Sequence, residues 1–281
     1  MRKFKNYSLN DKVFYVVITA LLTIFFVLVL YPCVYVISAS FSSGTAVQSG
    51  KVVLFPVDFS LEGYKTVFHT KTVWTGFRNS LFYTFVGTAV NIIMTLTAAY
   101  CLSRDDLPGR NAIMLVFTFT MFFNGGMITS YILVQKLHLL NTVWSLLLPG
   151  AIGVYNLIIA KTFIQNSIPG ELLEAARIDG CGEIGIFLKV VLPSQKPAVG
   201  ALGIYMFMSM WNNFMWPLII LSTKSMYNFP VALAMLDGVA WRKDYGVIML
   251  ATVCAVLPIM IIFLVFQKQF VAGVMGGAVK E

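Results

Sequence analysis

The chain has 281 residues, 58% of them hydrophobic and only 11% charged, with a mean hydropathy of +0.82. Soluble chains carry about 25% charged residues, so a soluble domain is excluded and a membrane protein is expected. The net charge of +8 comes without a Lys/Arg cluster interleaved with aromatics, so no nucleic-acid partner is expected, and the basic excess reads as membrane topology.

Residues 1–12, MRKFKNYSLNDK, are a basic segment expected on the cytoplasmic side. The apolar run from Val13 to Ile37 is twice as long as a signal-peptide core and has no A-x-A-like cleavage site behind it, so a retained first transmembrane helix is predicted within 13–40. Residues 41–77 are predicted as an extracellular loop, long enough for a small lobe that either connects or docks. About 20 apolar residues cross a bilayer. Five further runs meet that length within a core at 78–270: Asn79–Leu102, Asn111–Gln135, Val143–Gln165, Ala198–Leu221 and Gly246–Phe266. The pattern is an all-α membrane protein with six spans. With both termini inside, twelve of the twenty Lys/Arg residues fall on the cytoplasmic side, which sets the orientation.

In span two, Ser80, Thr84, Thr88, Asn91 and Thr95 form one polar stripe, either an interhelical packing seam or the wall of a pathway. Asn124, Gly125 and Gly126 interrupt span three. Irregular backbone at that depth is tolerated where it is protein-buried or lines a water-filled cavity, so a bend at a gate is expected there.

Between spans four and five, about 166–197, PGELLEAARIDG reads as a short helix. Pro169 stands at a first helical position, Glu171 in the first turn and Gly180 as the stop. It is too short to span. Its small surface of Ala175, Ala176 and Gly180 is flanked by Glu174, Arg177 and Asp179. That suits docking into another protein's groove, and equally a helix resting on the membrane surface. A second element, EIGIFLKVVLP, is predicted as a helix with Ile184, Phe187, Leu188, Val191 and Leu192 on its packed face, ended by Pro193.

Span five carries Tyr205, Ser209, Asn212 and Trp216 on one face, with Met208, Trp211 and Asn213 adjacent. Amides, hydroxyls and aromatic rings together can hold a sugar, and the same residues also fit a packing seam with an interfacial tryptophan belt. The tail, 271–281, is predicted to be an extended cytoplasmic segment or a frayed end. Cys33, Cys101, Cys181 and Cys254 lack metal spacing and read as packing residues.

The stretch EAARIDG resembles the EAA motif of bacterial ABC-importer permeases: Glu-Ala-Ala, three residues, Gly, nine residues, Ile-x-Leu-Pro. Here it reads Glu174, Ala175, Ala176, Gly180 and then Val190, Val191, Leu192, Pro193, with Val190 replacing Ile. NSLFYTF and AAYCLSR around span two, LHLLNTVWSLLLPG before span four and WNNFMWPL in span five are similar to the carbohydrate-uptake branch. FFNGGMIT resembles its oligosaccharide importers, with Thr129 standing where they carry proline.

The resemblance implies a type I (MetI-like) permease in the bacterial cell membrane, multi-pass, that imports a carbohydrate, specifically an oligosaccharide. It implies as partners a second homologous permease, two ABC ATPase subunits, an extracellular solute-binding protein, the carbohydrate and membrane lipid. ATP and Mg would sit in the ATPase subunits, with no cofactor bound by this chain. The EAA helix would be the coupling helix, entering a cleft of the ATPase through Glu174, Ala175, Ala176, Asp179 and Gly180. The tail would reach between the ATPases. The candidate substrate pathway comprises Asn91, Asn124, Gly125, Tyr205, Met208, Ser209, Trp211 and Asn212.

The residues agree that the engine lies elsewhere. Gly50-Lys51 is followed by Val52 and lacks the glycine of a phosphate loop. The alternative, an ion-gradient-coupled carrier, commonly needs an acid or a cation within the membrane, and the six spans contain no Asp or Glu. An enzyme is disfavoured, since His69 and His138 lie in separate loops and no G-x-S-x-G occurs.

Overall fold

The computed structural model describes residues 8–239 and 245–278. Among these the chain is helical apart from turns and one isolated antiparallel bridge between Ser42 and Phe59. The α-helices in order are α1 (Leu9–Ser40), α2 (Gly44–Gln48), α3 (Glu62–His69), α4 (Lys71–Ser103), α5 (Arg110–Phe122), α6 (Gly126–Lys136), α7 (Trp144–Leu147) and α8 (Val154–Ser167). They continue with α9 (Gly170–Ile178), α10 (Glu183–Ile186), α11 (Leu192–Ser194), α12 (Lys196–Trp211), α13 (Met215–Ile220), α14 (Phe229–Val239) and α15 (Tyr245–Ala278).

Two compact units divide the chain: residues 1–70 with 236–256, and residues 71–235 with 257–281. In the first, Ser8 caps α1 by accepting from the Asp11 amide at 3.2 Å while its hydroxyl donates to the Asp11 carboxylate at 2.8 Å. Most of α1 is apolar and exposed; only Ser38–Ser40 are buried. There Ala39 packs with Ala46, Val47 and Val52, and Ser38 donates to the Leu54 carbonyl at 2.6 Å. Phe41 stacks on Phe59 and Tyr64. Residues 41–70 are thus a structured lobe.

In the second unit α4 is the central element, packed against α8 and α12. Its buried face, including Leu96, Ala99 and Tyr100, meets Leu157, Ala160 and Ile164 of α8 and Leu202 and Met206 of α12. Each buried leucine or isoleucine of this kind contributes about 1.5–3 kcal/mol. The helix starts at Lys71, eight residues before the predicted edge of span two, so the polar turns 71–78 extend the span and end the preceding loop at Thr70.

By length and apolarity, three described helices can cross a membrane: Leu9–Ser40, Lys71–Ser103 and Tyr245–Lys268. α5 and α6 make a fourth if the bent pair counts as one. The predicted spans four and five are not continuous helices. Pro149 and Gly150 lie in the non-helical stretch between α7 and α8, and Asn212–Phe214 separate α12 from α13. Among the described residues, continuous helices long and apolar enough to cross a membrane therefore number three, or four with the bent pair.

The element after α9 also departs from expectation. A wide π-turn, Phe187–Val191, sits between α10 and α11, so the 3.6-residue projection fails. Of the predicted face, Val191 is buried and Phe187 and Leu192 pack against the same core, while Ile184 and Leu188 are exposed and Ile186 is buried in their place. Pro193 does not end the element. Its missing N–H and the ring's clash with the preceding turn coincide with the π-turn, and helix resumes through α12. At the C-terminus α15 runs to Ala278, so residues 271–278 of the tail are helical rather than extended. Residues 1–7, within the predicted cytoplasmic N-terminus, and the last three residues lie outside the described ones.

Candidate functional site

An open cavity of about 780 Å³ lies among α4, α6, α8, α12 and α13. Its wall combines the amides of Asn91, Asn124, Asn156 and Asn213, the hydroxyls of Ser130 and Ser209, and the rings of Tyr155, Tyr205 and Trp216. Among the described residues no charged side chain lines it. Its size suits a ligand site, and convergent neutral donors, acceptors and rings suit a neutral, hydroxyl-rich solute.

The α5–α6 break opens one side. The two helices meet at 116°. Gly126 has φ +78, a conformation that glycine adopts without the usual penalty, and the Asn124 side chain accepts from the Gly126 amide at 2.6 Å. A Cβ on Gly125 would stand 3.2 Å from the Thr129 side chain. The bend expected from the sequence is present. Leucine at both Gly125 and Gly126 is expected to distort this bend and to lower solute uptake at least about tenfold. Uptake measured in vesicles checks it, and wild-type uptake by the double variant would show that the bend serves no transport role.

Asn91 is 6% exposed and donates to the Gly150 carbonyl at 2.6 Å, while its own carbonyl accepts from Thr95 at 3.2 Å. It is a strut tying α4 to the α7–α8 link within the cavity wall. Of the rest of the polar stripe, Ser80, Thr84 and Thr95 are buried, and Ser80 accepts from the Phe229 amide at 2.7 Å.

Asn91, Asn124, Gly125, Tyr205 and Ser209 line the cavity. Met208, Trp211 and Asn212 lie outside its lining. Trp211, 1% exposed, packs edge-on to Phe77 and parallel to Phe207. Asn212 follows the end of α12, and past that break Asn213 and Trp216 line the wall. Trp216 is fixed by donating to the Ser145 carbonyl at 2.9 Å. Asn156 escaped the sequence reading because it opens α8 after a non-helical stretch, where no periodic signal marks it.

At the other candidate site, α9 begins after Pro169, which caps it rather than entering its first turn. The helix ends with the Cys181 amide donating back to the Ala176 carbonyl at 3.0 Å and with Gly180 at φ +80, the glycine-dependent stop that the sequence implied. Glu174, Ala175, Asp179 and Gly180 are exposed. Ala176 is 9% exposed and packs into the core, so its small size serves the seating of α9 on its own chain. Between the charges projects Ile178, 86% exposed, which a reading focused on small and charged residues passed over. Arg177 pairs with Glu183 at 2.8 Å and Asp106 at 3.3 Å. Arg104 hydrogen-bonds Asp106 and holds its carboxyl below the usual carboxylate range.

Residues 4–276 match the family model described as binding-protein-dependent transport system inner membrane component. The chain is 35% identical to the polygalacturonan/rhamnogalacturonan transport system permease protein YtcP of Bacillus subtilis, over 97% of this chain and all of that one. It is 31% identical to the arabinooligosaccharides transport system permease protein AraQ of Halalkalibacterium halodurans, over 94% and 97% of the two chains. Among solved structures, a chain of a bacterial ABC transporter involved in the import of the acidic polysaccharide alginate superposes with a TM-score of 0.86 at 32% identity. That match covers 94% of this chain and 99% of that one.

Proposed function

The chain belongs to the family of binding-protein-dependent transport system inner membrane components, and we propose that it is the permease subunit of an ABC importer carrying an oligosaccharide into the cell. The cavity carries this reading: amides, hydroxyls and aromatic rings converge in a neutral wall, and the similar chains named above are carbohydrate permeases and a polysaccharide importer. The chain has no ATPase site of its own. ATP and Mg are held by two partner ATPase subunits, a second homologous permease completes the pathway, and an extracellular binding protein delivers the sugar. Both termini face the cytoplasm.

The exposed end of α9, with Glu174, Ala175, Ile178, Asp179 and Gly180, is the surface that enters the ATPase, with Ala176 supporting it from beneath. Ile178 supplies an apolar anchor within a rim of charge, the composition found at the centre of stable interfaces.

The test is reconstitution of this chain with its neighbouring permease, ATPase and binding protein in proteoliposomes. Sugar uptake should require ATP and survive an uncoupler. Uptake that continues without ATP and stops with the uncoupler would establish an ion-coupled carrier instead.

A further inference from the structure

Where α9 and α10 meet the end of α4, two cations, two anions and a phenol form one connected network. Glu183, the first residue of α10, is its hub. Tyr100 near the end of α4 donates its hydroxyl to Glu183 Oε2 at 2.7 Å. Arg104, one residue beyond α4, donates to the same oxygen at 3.3 Å and to the Tyr100 hydroxyl at 3.2 Å. From α9, Arg177 donates to Glu183 Oε1 through Nη2 at 2.8 Å and Nε at 3.3 Å. Asp106 closes the set. Arg104 forks onto its two oxygens at 3.0 and 2.7 Å, and Arg177 reaches it at 3.3 Å.

Exposed ion pairs contribute little stability, about 0–1 kcal/mol each, so holding the fold together is a poor account of the cluster. Forked, charge-assisted bonds fix orientation instead. Here they fix α9 to α4 through groups that are partly shielded: the Arg104 side chain is 12% exposed, and its guanidinium lies over the Tyr100 ring. The Tyr100 ring in turn packs on Phe187 of the π-turn.

α4 is unbroken from Tyr100 back to Asn91, nine residues and so about 13 Å along a stiff helix. Asn91 is the strut bonded to Gly150 in the cavity wall. One rigid element therefore carries the network at its end and the cavity wall on its flank.

We propose that Glu183 is a positioning residue that transmits movement of α9 to α4, and through α4 to the Asn91–Gly150 strut of the cavity. The inference rests on the transport reading above and adds the route by which ATP-driven movement reaches the solute. Coupling through a structure is established by measured coupling, since adjacency alone does not show it.

The experiment uses the full reconstituted complex and reads two rates on the same proteoliposomes, sugar taken up and ATP hydrolysed. For Glu183→Ala the sugar-to-ATP ratio is expected to fall about tenfold, the size of a typical coupling energy, with hydrolysis retained. Glu183→Gln, which can still accept from Tyr100 but cannot pair with arginine, should fall between. A loss of folding or docking lowers both rates together and leaves the ratio unchanged. A Glu183→Ala ratio within about twofold of wild type, whatever the two rates, overturns the proposal. If Glu183→Ala fails to assemble, Tyr100→Phe and Arg104→Lys are measured in its place: a lowered ratio supports the route through α4, and an unchanged ratio overturns it. A wild-type complex without ATP-driven uptake would overturn the transport function and this inference with it, whereas an active wild type with an unchanged variant ratio overturns the inference alone.

Discussion

Replacing Gly180 by aspartate is expected to abolish ATP-driven uptake while the chain still inserts and keeps its cavity. Gly180 is exposed, its φ is +80, and nothing lies within 4 Å of where a Cβ would sit. Within this chain the substitution therefore meets no clash, and the left-handed conformation costs about 1 kcal/mol. That is too little to unfold a packed core. The larger penalty is expected at the proposed ATPase-docking surface, where a new carboxylate beside Asp179 would be buried without a partner. An uncompensated buried charge costs about 3–5 kcal/mol, which corresponds to a loss of affinity of at least about a hundredfold.

Co-purification of the ATPase with the Gly180→Asp chain, together with uptake in proteoliposomes, reads the effect. Gly180→Asn separates the two contributions, because asparagine tolerates positive φ and carries no charge; it should retain much of the activity. Full uptake by the aspartate variant would remove α9 from the coupling surface.

Gly76→Val is expected to act on folding itself. On α4, a Cβ at this position would stand 2.7 Å from the Ala232 Cβ, 3.3 Å from the Asn228 carbonyl and 3.4 Å from the Phe229 Cα. These neighbours are backbone atoms or the first side-chain carbon, so none can swing aside. Overpacking of this kind costs about 1–3 kcal/mol, and a branched residue lies at the upper end. The purified variant should lose about 5–10 °C of thermal stability, or should fail to accumulate. Gly182→Ala is the control, since nothing lies within 4 Å of its added methyl and its φ is −71. If Gly76→Val melts with the wild type, the close packing of α4 on the start of α14 is not what holds this part of the chain.

Why were some parts legible in the sequence and others not? Glycine punctuation carried far: Gly180 stops α9 and Gly126 turns the chain at the α5–α6 break, because each occupies a positive φ that other residues avoid. Periodicity carried as far as helices stay regular. It located α4 and, of the packed face after Glu183, Phe187, Val191 and Leu192 but not Ile184 and Leu188, because five residues there adopt the π-turn; Asn212 follows the end of α12, where the projection stops. Composition alone could not separate Ala175 from Ala176. Both are small and adjacent, yet one is exposed and the other is buried against the chain's own core, a distinction that depends on how α9 rests on its neighbours. Asn156 and Asn213 came into the cavity wall through chain breaks, which a projection along uniform helices does not represent.

The buried residues of the long first helix lie in its last turns, at Ser38–Ser40, with Tyr35 packed beside them. Before them the helix presents hydrocarbon outward, with none of its apolar window buried. Turns can therefore be added to or taken from that stretch to suit a thicker or thinner bilayer while the grip on residues 41–70 is preserved, so accommodation to the host's lipids is left to a part that need not change with the cargo.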